Sequence, residues 1–278
     1  MQKSLFGGRP LITLVDAHVH LHPGVDPTVA LDAAVANFRA AAHDVGRRDW
    51  RGVLLLAETA GMDSFCELSR IGARVGSRRW SFEPAAGETI SLLARNGNWQ
   101  LLIVAGRQVA TLEGLEVLAL ATHEHIPDGL DLMSALDVAR RISSLVVLPW
   151  AVGKWLGHRG RIVRRALMSA GGSIFAGDNG GRPWFWPASA EFDLANRFGR
   201  PVLPGSDPLP IPDEERRIGS VGFTLDWELP LRCPAKELCA HLVSAPVGVV
   251  RCYGAREKTL RFVRNQLLLR IPALRRPN

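Results

Sequence analysis

The stretch Val15-Asp16-Ala17-His18-Val19-His20-Leu21-His22 alternates apolar with polar residues. Successive side chains of a strand point to opposite faces, so this spacing predicts Asp16, His18, His20 and His22 on one face and Val15, Ala17, Val19 and Leu21 on the other. The strand reads as running from Leu11 to His20 and as opening a series. Val53 to Ala57, Trp99 to Ala105, Leu115 to Ala121, Leu145 to Leu148, Ser173 to Ala176 and Pro201 to Leu203 read as further strands. Several are continuously apolar, the pattern of a largely parallel sheet covered on both faces. Apolar residues at helical spacing mark Val29 to Val45, Asp131 to Ile142 and Ala188 to Phe198, the last stopped by Gly199 and Pro201. Thr111-Leu112-Glu113-Gly114 reads as a hairpin turn inserted into the series. The alternation runs from residue 11 to about 207 without a domain boundary, so one barrel-like α/β domain is expected over residues 1–250.

Composition limits the alternatives. The chain has 278 residues, 47% of them apolar and 22% charged, which excludes a wholly disordered, collagen-like or coiled-coil protein. The longest nearly uncharged apolar stretch, Ile142 to Val152, is broken by Pro149 and ends before Lys154, too short to cross a bilayer. No apolar core of a signal peptide precedes Asp16, so a cytoplasmic location is expected. Cys66, Cys233, Cys239 and Cys252 show no C-x-x-C spacing and read as free thiols.

The net charge of +7 is concentrated at one end. Residues 251–278 carry eight basic residues and one acid, leaving 26 of each sign in the first 250. A basic whole-surface affinity for nucleic acid therefore does not follow. Within this segment Leu260, Val263, Leu267 and Ile271 recur at helical spacing among Arg261, Arg264 and Arg270. The expectation is a basic amphipathic helix over 259–271 docking its apolar row on the domain. The alternative is contact with an acidic partner, nucleic acid or an anionic membrane surface.

The polar face of the first strand carries the chemistry. Burying unpaired polar groups costs roughly 2–7 kcal/mol each, and a metal ion satisfies several at once. A second apolar strand, Val202-Leu203-Pro204-Gly205-Ser206-Asp207, runs into glycine and then a carboxylate at its C-terminal end, where active sites of α/β barrels gather. His18, His20 and Asp207 are thus candidate ligands of one divalent ion, Zn, Mn or Fe, that keeps positions open for water. Lys154, Arg182, Arg216 and Arg217 follow strand ends and are candidates for holding an anionic small-molecule substrate.

Together these residues resemble the polymerase-and-histidinol-phosphatase (PHP) family of metal-dependent phosphoesterases. The similarity covers roughly residues 11–222, in Asp16-Ala17-His18-Val19-His20, in Gly106 to Ala121, and in Gly205-Ser206-Asp207 followed by Ile218-Gly219. The resemblance implies a distorted (β/α)7 TIM-like barrel that binds two or three divalent ions and hydrolyses phosphate esters. The chain departs from the family pattern at Ala57-Glu58-Thr59, where the family carries Asp-His, and at Gln108, where it carries glutamate. It departs again at Leu148-Pro149-Trp150, which lacks the family's histidine, and at Asp207-Pro208-Leu209, which lacks Asp-x-His. The surviving set holds one ion on His18, His20 and Asp207, with Glu58 standing in for the missing acid and Asp16 orienting a ligand, the two candidate catalytic carboxylates. Three functions stay open at this point: a phosphoester hydrolase, a catalytically degenerate binding or scaffolding protein, and an amidohydrolase-type amide or lactone hydrolase, whose group shares H-x-H on its first strand and a late aspartate.

Overall fold

The computed structural model describes residues 11–72, 79–170 and 174–271, and within them β1 (Ile12–Val19) is buried along its whole length. β2 (Trp50–Leu56) pairs with β1 in parallel. Beyond it the chain turns back on itself, because β3 (Ser81–Pro84) and β4 (Ser91–Asn96) lie antiparallel to each other, and β4 lies antiparallel to β5 (Trp99–Val104), which is parallel to β2. A second sheet is built from β6 (Gly106–Ala110), β7 (Glu116–Leu120), β8 (Leu145–Pro149), β9 (Phe175–Asn179) and β10 (Leu203–Gly205), in the spatial order β10-β9-β8-β7-β6. The chain then returns to the first sheet, where β11 (Gly222–Leu225) runs antiparallel to β1 and β12 (Arg251–Tyr253) antiparallel to β11. The first sheet has the order β12-β11-β1-β2-β5-β4-β3.

This corrects the expected distorted (β/α)7 TIM-like barrel of the PHP type. Among the described residues the strands form two sheets of seven and five rather than one closed parallel ladder, and six of their ten pairings are antiparallel. Continuous apolar runs do report burial on both faces, but burial does not say which strand is the neighbour. Two hairpins supply much of the antiparallel pairing. Thr111 to Gly114 turns the chain between β6 and β7, as its composition predicts. Gly97-Asn98, with Gly97 at φ +55°, closes a two-residue hairpin between β4 and β5 that apolar periodicity alone does not reveal. Of the strand expected over Ser173 to Ala176, Ser173 lies outside the described residues.

The helices cover the outer faces. α1 (Pro27–Asp44) starts where Asp26 accepts from the Thr28 N–H at 2.8 Å and Pro27 fits the first helical position. Its Leu31, Ala34 and Phe38 pack with α2 (Ser64–Gly72) against Ile12, Leu14, Leu54 and Leu101 of the first sheet. The opposite face of that sheet, with Val15, Val53 and Leu102, shares a core with Leu118, Leu145, Val147, Phe175 and Leu203 of the second. α3 (Leu132–Ile142), α4 (Gly157–Ser169) and α5 (Ala190–Arg197) cover the far side of the second sheet. α6 (Pro234–Ser244) inserts Leu238 and Leu242 into the core shared by the sheets.

Two glycines mark where the sheets touch edge to edge. A Cβ on Gly205 would fall 2.3 Å from His18 N, and one on Gly106 would fall 2.2 Å from Leu56 O. At the first contact Asp207 N donates to His18 O at 2.9 Å. At the second, Glu58 N donates to Gly106 O at 3.0 Å and Gln108 N to Glu58 O at 2.8 Å. Only glycine allows backbones this close.

Beyond residue 250 the chain is continuous with the first sheet through β12, and then forms α7 (Thr259–Leu268). The helix is where the spacing predicts it, but its orientation reverses the expectation. Leu260, Val263, Leu267 and Ile271 face solvent, and the side that packs presents buried Asn265 together with Phe262, Gln266 and Leu269. Arg275 and Arg276 lie outside the described residues.

Replacing Gly106 by alanine forces a methyl group into the Leu56 carbonyl. We expect Gly106→Ala to lower stability by about 1–3 kcal/mol in urea unfolding, without changing the slope of the transition.

Candidate metal centre

β1 does not keep its alternation to the end. Asp16 pairs with Leu54 but Val19 with Leu56, so β1 carries one residue more than β2 over this interval. Such a bulge bends the strand and re-aims the side chains beyond it. Val19 joins Ile12 and Leu14 on the α1 side of the sheet, although its odd number would have placed it with Val15. Asp16 therefore parts from His18 and His20, and the expectation that these polar residues share one face is corrected.

Beyond the bulge the two imidazoles meet Asp207. The Nε2 atoms of His18 and His20 lie 3.0 Å apart, and Asp207 Oδ1 lies 3.5 Å from the first and 3.4 Å from the second. Gln108 Oε1, from β6, is 2.9 Å from His18 Nε2. Four ligands held at 2.0–2.1 Å around a tetrahedral ion would sit about 3.4 Å from one another, close to these separations. The donor set therefore fits a small divalent cation: two imidazole nitrogens, one carboxylate oxygen and a neutral amide oxygen within reach.

Electrostatics prepare the set as ligands. Burial pushes the His18 pKa down, and the neighbouring His20 adds to the effect against the pull of Asp207, which favours the ring form that can donate a lone pair. Burial alone would raise Asp207, but His18, His20 and Arg217 outweigh it and hold the carboxyl below the usual range. Asp207 has φ +45° directly before Pro208, a strained backbone for a non-glycine residue. It is held there by His18 O and by Asn179 Nδ2, which donates to Asp207 Oδ2 at 2.8 Å and to Trp150 O at 2.8 Å. Asn179 fixes the carboxylate as outer partners of metal ligands commonly do. Its sequence signal, a polar residue closing a strand before Gly180-Gly181, reads equally as an ordinary turn.

The two candidate catalytic carboxylates stand outside this cluster. Asp16 is fully buried. Its Oδ1 accepts from Ser206 N at 2.8 Å and His18 N at 3.3 Å, and its Oδ2 from Gly219 N at 2.8 Å. Burial raises its pKa to about 6 against these hydrogen bonds. It is a positioning residue that ties β1 to the segments carrying Asp207 and Gly219. Glu58 Oε1 accepts from Phe65 N at 2.7 Å and its Oε2 meets Arg107 at 2.9 Å, so both oxygens serve the start of α2 and β6. His123 and His125 do not join the cluster.

A cleft of about 410 Å³ opens over the cluster, lined by His20, Gln108, Asp207, Lys154 and, from α7, by Phe262 and Gln266. His22 is also on its wall, stacked on His20 at 5.3 Å and bonded to Pro208 O at 2.8 Å. Of the four candidate cations, Lys154 lines this cleft, bound to Glu116 at 2.5 Å. Arg182 is buried on Asp178, and Arg217 is buried between Glu214 and Glu257. Arg216 is exposed beside Asp213. Trp150 and Trp155 belong to the core. Sequence reasoning passes over Glu116, and it reads the 259–271 helix without placing Phe262 or Gln266 at the cleft.

No protein-family model and no curated protein matches the chain. Among solved structures, the crystal structure of PsfC from Pseudomonas syringae PB-5123 is similar in fold, with a TM-score of 0.51 at 16% identity over 94% of this chain and 98% of that one.

Two measurements test this geometry. Asn179→Ala frees the Asp207 carboxylate to rotate, and should weaken metal affinity about 10–100-fold by competition titration. Burial raises the Glu58 pKa from 4.5 to about 7, against its bonds to Phe65 N and Arg107. A raised carboxyl favours the protonated folded form, so its contribution is complete below pH 4.5 and is lost as pH rises through about 7. Glu58→Gln should remove that loss, flattening the fall of urea-unfolding stability across this window relative to wild type.

Proposed function

We propose that the protein is a metal-dependent hydrolase acting on a phosphoester. The observation that carries this reading is the convergence of His18 Nε2, His20 Nε2 and Asp207 Oδ1 at the floor of an open cleft. Two imidazoles and one carboxylate suit Zn, Mn or Fe, as a single ion. Such an ion, when bound, acidifies a water toward neutral pH and polarises the phosphoryl oxygen facing it.

The chain's own residues do the rest. His18 and His20 supply nitrogen donors, and Asp207, kept ionised and fixed by Asn179, supplies the compensating charge. Asp16 holds the β1 and β10 ends in register. Lys154, paired with Glu116 at the cleft wall, is the cation placed to meet an anionic small-molecule substrate. Arg182 and Arg217 are already neutralised by internal carboxylates and give no clamp. The resemblance to the PHP phosphoesterases supports the chemistry of the ligand set, not the architecture. A cytoplasmic site of action rests on four cysteines that are all unpaired. Among the described residues no helix is long and apolar enough to cross a membrane.

A second reading, a catalytically degenerate binding or scaffolding protein, keeps support from one observation: neutral Gln108 stands where a second carboxylate would strengthen the site. Metal analysis of purified protein and turnover separate the two. We expect one equivalent of Zn, Mn or Fe, lost in His20→Ala, and phosphomonoester or phosphodiester hydrolysis that follows the metal. Metal-free protein with unchanged stability in His20→Ala supports the binding protein, and lactone or amide turnover in place of phosphoester turnover supports the amidohydrolase-type reading.

A further inference from the structure

The apolar row of α7 points away from the fold. Leu260 is 87% exposed, Leu267 56% and Val263 48%, and Ile271 continues the same side just past the helix. The neighbouring loop adds Trp184 at 64% exposure and Phe185 at 47%. Trp184 Nε1 donates to Thr259 Oγ1 at 2.8 Å, and the Phe185 ring meets Phe262 edge-on at 6.0 Å. Loop and helix thus bring two exposed rings against the start of α7, beside its outward apolar row, where scattered exposed apolar residues would need no explanation.

Within residues 251–271 the exposed charged side chains are all basic, although Arg251 is paired with Asp226 at 3.3 Å. Arg251, Arg256, Lys258, Arg264 and Arg270 are exposed, whereas Glu257, the one acid between residues 251 and 271, is buried against Arg217. The orientation of the helix is fixed by polar contacts. Asn265 Nδ2 donates to Glu214 Oε1 at 3.2 Å and Arg261 to the same oxygen at 2.9 Å, so turning the apolar row inward would strip a fully buried carboxylate of two donors.

We propose that this face docks on an anionic lipid bilayer. Leu260, Val263, Leu267 and the Trp184 and Phe185 rings would enter the boundary between headgroups and acyl chains, while the surrounding arginines and Lys258 meet lipid phosphates. A bilayer surface offers both an apolar layer and negative charge, and the patch presents the complement of both. A second copy of the chain would set this cation ring against its own like, and a nucleic acid would satisfy the arginines while leaving the aliphatic row in water. Leu260, Val263 and Leu267 are not among the α7 residues that line the cleft. The proposal does not depend on the hydrolase reading.

Flotation of the full chain with phosphatidylcholine vesicles, with and without phosphatidylserine, tests it. We expect flotation only with phosphatidylserine, weakening with salt. Leu260→Ser/Leu267→Ser and Arg264→Gln/Arg270→Gln should each reduce binding by about tenfold or more, with unchanged circular dichroism because these side chains are exposed. No flotation with anionic vesicles overturns the proposal, as does flotation indifferent to both pairs of substitutions. It is also overturned by a dimer in sedimentation that the leucine pair abolishes, or by RNA binding to which the arginines alone contribute while vesicles are ignored.

Discussion

One buried carboxylate holds three segments of this fold in register. Asp16 accepts backbone N–H groups from His18, Ser206 and Gly219, which lie at the end of β1, after β10 and before β11. The bulge beyond it in β1 gives the strand its two functions. Before the bulge, side chains alternate between the core under α1 and the core between the sheets; after it, His18 and His20 turn toward Asp207. A regular strand would have kept Asp16 and the imidazoles on one side, with three or four polar groups competing for the same space. The extra residue separates the positioning carboxylate from the ligating groups. Gly205 completes the arrangement, because no other residue lets β10 lie against the His18 backbone.

The same bulge divides the legible from the hidden in this sequence. The alternation from Val15 to His22 reports a strand, and His18, His20 and Asp207 stand out because their residue types are costly to bury without a shared partner. α1 and α3 are legible from apolar spacing, while the caps at Asp26 and Asp131 come from the structure, which starts α1 two residues before the Val29 expected. The barrel expectation failed because apolar runs carry no information on strand neighbours, and the Gly97-Asn98 hairpin and the return of β11 to pair with β1 are decisions of tertiary packing. The bulge is equally silent, since the number of residues in β1 between two pairings depends on β2.

The arginines illustrate a further limit. A guanidinium after a strand end suits phosphate, and Arg182 and Arg217 occupy such places. Each, however, is enclosed with carboxylates of its own chain: Asp178 four residues before Arg182, and Glu214 and Glu257 around Arg217. A guanidinium already engaged in a buried pair cannot turn to a substrate without leaving the carboxylate uncompensated, at a cost of roughly 3–5 kcal/mol. Lys154 is different because it and its partner Glu116 both line the cleft, where solvent reaches them and the pair can open.

The Arg217 cluster links the two ends of the molecule that bear on function. Glu214 and Glu257 face Arg217 and Arg261, two charges of each sign, and Asn265 completes Glu214. Arg217 NH2 also donates to Gly180 O at 2.6 Å, and Gly180 directly follows Asn179, whose amide fixes Asp207. The groups that hold α7 in place therefore also fix the backbone beside the residue that aims the metal-binding carboxylate. Because α7 is held by directional polar contacts rather than by its apolar row, that row is left outward on one side of the helix while the other side walls the cleft. An apolar attachment would have used the same residues and left the helix free to slide, since hydrophobic contact is non-directional; ion pairs and hydrogen bonds specify one rotation.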